Sequence, residues 1–122
     1  MSKNTLCNAI KNLELQYQLA PYQQKKINEY FSVIKLGDFI YAGQLKSRLL
    51  ISIEEAYQIL EELKNEGFLT NLYEIYCHDC SRSTGKFLNS LEEFNPESYC
   101  DICGKLFTLE ENVIVLYKVV RV

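Results

Sequence analysis

The chain has 122 residues, of which 48% are hydrophobic and 24% charged, and its formal net charge is −3. This balance is typical of a folded protein and argues against a disordered chain. The acidic charge also argues against a large basic surface for nucleic acid. The first residues lack the basic and apolar regions of a signal peptide, and no apolar run is long enough to span a membrane. We therefore expect a cytoplasmic protein without a membrane partner.

Two helices are predicted before residue 38. Apolar residues recur at helical spacing between Thr5 and Ala20, and Pro21 then interrupts the pattern. A second helix follows Pro21 and ends at Gly37, where a positive φ is tolerated. The apolar stripe of the first helix has two interpretations, packing against the chain's own helices or the seam of a homodimer, and we favour the first. The stripe consists of Leu6, Ile10, Leu13 and Tyr17.

A capping box marks the start of the longest predicted helix. Ser52 is followed three residues later by Glu55, so each side chain can accept a hydrogen bond from the other residue's backbone N–H. The helix is predicted from Ile53 to about Glu66, where Gly67 follows. A loop, residues 38–43, and a compact helix, residues 44–50, are predicted to precede it.

A β-hairpin is predicted after this helix. Residues 68–77 are predicted as strand, with β-forming residues on both sides of the turn residues Thr70 and Asn71. Helix, short helix, tight turn, longer helix and hairpin is the order of elements in a winged helix-turn-helix. The segment Ala42–Leu69 resembles this family. The resemblance implies the fold, with the helix from Ile53 in the position of the recognition helix, and it identifies no role.

Four of the five cysteines form two C-x2-C pairs, Cys77 with Cys80 and Cys100 with Cys103. Each pair can place two sulfurs at adjacent corners of a tetrahedron from one tight turn, so we predict one structural zinc ion. Four thiolates close the site against water, which argues against a catalytic zinc. Gly104 suits the second turn because such a turn requires a positive φ, whereas no glycine directly follows the first pair.

Two other residues are assigned no metal role. His78 lies between the first two cysteines, but four thiolates already complete a zinc site. Cys7 lies on the first predicted helix, far in sequence from the other cysteines, and is expected to be a small buried hydrophobic residue. The sequence contains one histidine and no Gly-rich phosphate loop, so we expect no enzymatic activity.

The predicted recognition helix carries an acidic outward face, with five glutamates and one lysine between Ser52 and Glu66. Such a face either contacts a partner or is simply a solvated surface, and in both cases it disfavours insertion into a DNA groove. The candidate partner-binding residues are Glu54, Glu55, Gln58 and Glu62 on this helix and Lys46 and Arg48 before it.

The first hypothesis for function is a non-enzymatic interaction module that docks onto a larger protein or nucleoprotein complex. Its expected α+β architecture is an N-terminal helix (1–20), a winged helix-turn-helix (21–76) and a four-cysteine zinc ribbon (77–122). This order of domains and the cysteine pairs resemble the general transcription factor E of archaea and eukaryotes. They are also similar to small accessory components of bacterial conflict and defence systems. The resemblance implies a role in transcription regulation or antiviral defence.

The second hypothesis is a dimeric DNA-binding transcriptional regulator of the winged-helix type. The stripe of the first helix would form the dimer seam. Basic residues before the recognition helix would contact the DNA backbone. These residues are Lys25, Lys26, Lys35, Lys46 and Arg48.

Overall fold

The computed structural model describes residues 5–122. The described chain contains both helices and strands, which confirms the predicted α+β class. The helices are α1 (Leu6–Gln16), α2 (Pro21–Ser32), α3 (Ala42–Leu49), α4 (Ile53–Asn65), a 3-10 helix (Leu91–Glu93) and α5 (Leu109–Asn112). The strands are β1 (Phe39–Ile40), β2 (Leu69–Cys77), β3 (Arg82–Leu88) and β4 (Val113–Val119). None of the helices between residues 5 and 122 has the length and apolar character needed to cross a membrane.

The chain divides into two compact units. The helical unit comprises the described part of Met1–Thr70 together with Tyr117–Val122, and the cysteine unit is Asn71–Leu116. This division differs from the boundaries expected at residues 20/21 and 76/77. The first helix is part of the helical unit because its apolar stripe is buried in the core of that unit. The end of β4 also belongs to the helical unit, because Tyr117 is buried in the same core.

The helical unit is built around one apolar core. The α1 stripe lies inside it, with Leu6, Ile10 and Leu13 buried and Tyr17 packed at its edge. The stripe is therefore a packing face within the chain, which is the interpretation that we favoured. Helix α4 buries Ala56, Ile59, Leu60 and Leu63, and the remaining helices and strands contribute Ile27, Phe31, Ile40, Leu45, Leu49, Phe68 and Val119, among others.

Side-chain caps define the starts of two helices. The hydroxyl of Thr5 accepts a hydrogen bond from the Asn8 N–H at 3.3 Å at the start of α1. At α4, the Ser52 hydroxyl accepts from the Glu55 N–H at 3.1 Å, and the Glu55 carboxylate accepts from the Ser52 N–H at 3.3 Å. The predicted capping box is therefore present, and α4 begins at the residue after Ser52, as expected.

The described strands pair within each of the two units. In the helical unit, β1 pairs antiparallel with β4 through Phe39 with Lys118 and Ile40 with Tyr117. In the cysteine unit, β2 pairs antiparallel with β3. The two-residue strand β1 lies in the segment that the sequence predicted as a loop. Such a short strand carries too little pattern to be recognised without its partner strand.

The strand predicted over residues 68–77 is present as β2, whereas Thr70 and Asn71, which the sequence marks as turn residues, form no turn. Strand β2 continues through both residues, and the turn to β3 lies at residues 78–81, inside the first cysteine pair. Local turn propensity is outweighed here by the burial of Leu69 and Leu72 and by pairing along the strand. The hairpin is therefore longer than predicted, and the first cysteine turn forms its tip.

Candidate metal centre

The sulfur atoms of Cys77, Cys80, Cys100 and Cys103 all lie within 4.8 Å of one another. The Cys77 and Cys103 sulfurs are 3.7 Å apart, and those of Cys80 and Cys100 are 3.8 Å apart. Both distances are far longer than the roughly 2.05 Å of a disulfide bond. They match the separation of about 3.8 Å that four metal–sulfur bonds of about 2.3 Å produce in a tetrahedron. The four predicted ligands can therefore hold one metal ion.

Each cysteine pair lies in a tight turn that ends in a left-handed residue. Gly104 follows the second pair with φ 75°, and Ser81 follows the first pair with φ 53°. The Gly104 N–H donates to the Cys100 carbonyl at 2.8 Å, and the Ser81 N–H donates to the His78 carbonyl at 3.3 Å. Ser81 therefore occupies the position that glycine holds in the other turn. The sequence did not reveal this role, because serine is no marker of a positive φ.

The thiols of Cys100 and Cys80 have pKa values shifted in opposite directions. The backbone N–H groups of Cys103 and Ile102 lower the pKa of the Cys100 thiol to about 6. The Ile102 N–H lies 3.4 Å from the Cys100 sulfur, where it stabilises the thiolate. Desolvation, followed by sulfur hydrogen bonds with Cys103 and the other two cysteines, raises the pKa of Cys80 to about 12. The Cys80 thiol therefore retains its proton near neutral pH, and a divalent cation must displace this proton to bind all four sulfurs.

The cysteine cluster forms part of the core of its own unit. Cys77 and Cys100 are buried, Cys80 is partly buried, and Cys103 is exposed. The other buried members of this core are Ile75 and Phe107, with Leu88, Phe94 and Val113 packed against them. A core of this size buries little apolar surface, so a small unit of this kind commonly depends on a metal or disulfides for stability.

A buried asparagine connects the segments that carry the two cysteine turns. Asn112 is 2% exposed, and its side-chain amide donates to the Tyr76 carbonyl at 2.9 Å, directly before Cys77. Its side-chain oxygen accepts from the Thr108 N–H at 3.0 Å, in the segment that follows the second turn. Asn112 therefore links the strand before the first cysteine turn to the segment after the second. The sequence carries one signal of this link, a polar residue directly before the apolar run 113–117.

His78 and Cys7 both lie outside the cluster. His78 is exposed, and its ring centroid lies 5.0 Å from that of Tyr76. Cys7 is exposed as well, so the expectation that it is buried is wrong. Leu6 occupies the buried position on α1, and consecutive residues of a helix point in directions about 100° apart.

The predicted partner-binding residues of α4 have different surroundings. Glu54 and Gln58 are exposed. Glu55 belongs to the capping box, and the carboxylate of Glu62 accepts from the side-chain amide of Gln16 at 2.6 Å. Two of the four side chains therefore already contact their own unit, which reduces the acidic surface that α4 presents to a partner.

The two predicted basic residues, Lys46 and Arg48, are exposed on α3. The guanidinium carbon of Arg48 lies 5.8 Å from the ring centroid of Tyr30 on α2, within the range of a cation–π contact. Lys25 and Lys26 on α2 are exposed too. The helical unit therefore presents basic side chains on two consecutive helices.

Comparison with known proteins finds no family model, no curated protein and no solved structure that matches this chain. The chemistry of the site is therefore the basis for interpreting it. That chemistry consists of four convergent sulfurs, two cysteine turns that each end in a left-handed residue, and one buried amide between their segments.

Proposed function

We propose that the protein is a non-enzymatic interaction module in which one structural zinc ion stabilises the cysteine unit. The observation that carries the proposal is the convergence of four cysteine sulfurs at separations suited to a tetrahedral zinc site. Sulfur ligands select zinc, copper(I) or iron–sulfur clusters over magnesium, calcium and manganese. Among these, two C-x2-C pairs in tight turns are typical of structural zinc.

The ligand set supports a structural role for the ion. Within residues 5–122, the group of candidate ligands consists of the four cysteines, and no carboxylate or imidazole belongs to it. Four thiolates fill a tetrahedral zinc site, and water then has no position on the metal. Catalytic zinc needs such a position to activate water or polarise a substrate. The proposed ion therefore contributes folding free energy instead of chemistry.

Charge supports a protein partner over nucleic acid for the cysteine unit. The segment 71–116 contains eight carboxylates and three basic side chains, and a zinc ion with four thiolates adds about two further negative charges. One of the three bases, Lys105, already lies 3.6 Å from the carboxylate of Asp79 and 3.8 Å from that of Glu111. Such a unit repels phosphates and attracts a basic protein surface.

The order of elements supports the proposed class of partner. Helices α2, α3 and α4 followed by the β2–β3 hairpin have the order of a winged helix-turn-helix. The first cysteine turn lies at the tip of this hairpin, and the second follows it. We therefore propose docking onto a larger protein or nucleoprotein complex of transcription or defence. This assignment depends on the resemblance of the architecture to such components.

A second candidate function is a DNA-binding regulator, which the exposed basic residues of α2 and α3 favour. Lysines and arginines on consecutive helices can contact the phosphate backbone. A dimeric regulator would need a contact face other than the α1 stripe, because that stripe is buried in the chain's own core. The basic residues are Lys25, Lys26, Lys46 and Arg48.

Two measurements test the proposal together. Metal analysis of protein purified under reducing conditions should find about one zinc ion per chain. Gel-shift titrations with duplex DNA at low and moderate salt should show weak binding at most. A folded cysteine unit without zinc would refute the structural role of the metal. Tight duplex binding with a steep salt dependence would favour the DNA-binding regulator instead.

A further inference from the structure

The cysteine unit contains a cavity of about 240 Å³ that is separate from the metal ligands. Its lining includes Ile75 and Phe107, which are buried, so the floor of the cavity is apolar. Pockets for drug-sized ligands have volumes of about 300–1,000 Å³, so this cavity is suited to a smaller group such as one amino-acid side chain.

Charged side chains belong to the lining of the cavity. Glu93, Asp101 and Lys86 line it and are exposed, so the lining carries two carboxylates and one ammonium group. The surrounding unit is strongly acidic, which strengthens the preference for a cation. Phe94 and Tyr99 also line the cavity, and aromatic rings attract cations through their faces.

An apolar surface continues from the cavity onto the second cysteine turn. Tyr99, which lines the cavity, is 59% exposed and pairs with Leu106 in an antiparallel bridge. Leu106 is 62% exposed and Ile102 is 63% exposed. Exposed apolar residues beside a charged pocket are typical of a protein-binding surface. The surface therefore suits a peptide segment better than a free small molecule.

We infer that this cavity binds one arginine side chain from a basic segment of a partner protein. Arginine combines an apolar stem, suited to the floor at Phe107, with a planar cation suited to carboxylates and aromatic rings. Glu93 and Asp101 supply the carboxylates, and the exposed apolar residues of the second turn contact the neighbouring residues of the segment. The inference depends on the proposed function as an interaction module and names the chemistry of its partner.

The test uses the zinc-loaded full chain and a labelled synthetic peptide in which one arginine is flanked by leucine and lysine residues. Fluorescence anisotropy measures binding. The matched probe carries citrulline in place of arginine, which keeps the shape and removes the charge. We expect the arginine peptide to bind more tightly than the citrulline peptide by about two- to fivefold. NMR shifts should concentrate at Phe94, Tyr99 and Phe107. Equal binding of the two peptides, or the absence of binding, overturns the inference.

Three variants of the protein test whether the cavity prefers a positively charged ligand. Glu93→Gln should weaken binding of the arginine peptide by about two- to fivefold, and Lys86→Gln should strengthen it by a similar factor. Glu92→Gln is the matched control, because Glu92 is in the same 3-10 helix and does not line the cavity. Zinc content and NMR spectra establish that each variant is folded.

Other outcomes contradict the inference in distinct ways. Weaker binding of the arginine peptide by Lys86→Gln would contradict the inference, because removing a cation from the cavity lining must strengthen binding of an arginine there. Equal losses with Glu92→Gln and Glu93→Gln would indicate general attraction to an acidic surface and no specific pocket. All of these outcomes leave the proposed function standing if the protein contains zinc and binds duplex DNA weakly. If the purified protein contains no zinc, the proposed function itself is refuted, whatever the peptide measurements give.

Discussion

Ser81 and Gly104 occupy equivalent positions in the two cysteine turns, each directly after the second cysteine of its pair and each with a left-handed backbone. The φ angles are 53° for Ser81 and 75° for Gly104. Because both turns must reverse the chain beside a sulfur, a positive φ recurs at this position with different residues. The equivalence shows how a C-x2-C turn can form without glycine, at a conformational cost to the side chain that replaces it.

Gly104→Ala should destabilise the zinc-loaded protein by about 1–2 kcal/mol. A Cβ atom at this position meets no other atom within 4 Å, so the loss comes from the positive φ alone. The matched control is Gly43→Ala, where a Cβ atom is equally unobstructed and the residue lies in α3. Alanine there should stabilise by up to about 1 kcal/mol. Chemical denaturation measures the unfolding free energy of both variants. Equal changes in the two variants would show that the positive φ of Gly104 is not the cause of the loss.

Cys100→Ser should reduce zinc affinity by more than about 100-fold. Losing a residue that only hydrogen-bonds to a metal ligand already lowers metal affinity by about 10- to 100-fold, and Cys100 is itself a proposed ligand. Without zinc the cysteine unit should lose its fixed tertiary structure, since its core contains few other buried side chains. Zinc content and NMR spectra measure the two effects. Cys7→Ser is the matched control because Cys7 lies outside the cluster, and it should retain zinc and structure. A Cys100→Ser protein that retains its zinc would contradict the proposed ligand set.

Asn112→Ala should destabilise the cysteine unit by about 1–3 kcal/mol, because it leaves the carbonyl of Tyr76 and the N–H of Thr108 without the amide. As a positioning residue, Asn112 should also affect the metal, with zinc affinity falling by up to about tenfold. Competition with a chromophoric chelator measures the affinity. Asn89→Ala, at an exposed asparagine of the same unit, is the control. Unchanged zinc affinity in Asn112→Ala would restrict the residue to a purely structural role.

Tyr117→Phe should raise the pKa of Glu61. The hydroxyl of Tyr117 donates to the Glu61 carboxylate, and this hydrogen bond lowers the pKa of Glu61 below its ordinary value of 4.5. Since the folded-state pKa is the lower one, the bond contributes stability above pH 4.5, and the contribution is lost as the pH falls through the folded-state value. The carboxylate is half-exposed and screened by water, so the contribution is about 1 kcal/mol or less.

An NMR titration of the Glu61 carboxyl carbon measures the shift directly. Tyr57→Phe is the matched control, because Tyr57 is on the same helix and is exposed. The control should leave the pKa of Glu61 unchanged. If Tyr117→Phe also leaves it unchanged, the hydrogen bond is not the cause of the lowered pKa.

Features that depend on neighbouring residues in the chain could be predicted from the sequence. The four ligands followed from the spacing of Cys77, Cys80, Cys100 and Cys103, because each C-x2-C pair defines the geometry of its own turn. The start of α4 followed from the capping box of Ser52 in the same way. Both signals are local, so no knowledge of the rest of the fold was needed.

The tertiary structure decided which of several local preferences prevailed. Thr70 and Asn71 favour a turn by themselves, but strand pairing and burial draw them into β2, and the chain turns at the first cysteine pair instead. The role of Asn112 depends on a carbonyl 36 residues away, at Tyr76. The sequence by itself determined the four candidate ligands and the start of α4, because these depend on short-range geometry. The turn, the positioning amide and the cavity required the folded chain, because their free energies come from contacts between distant residues.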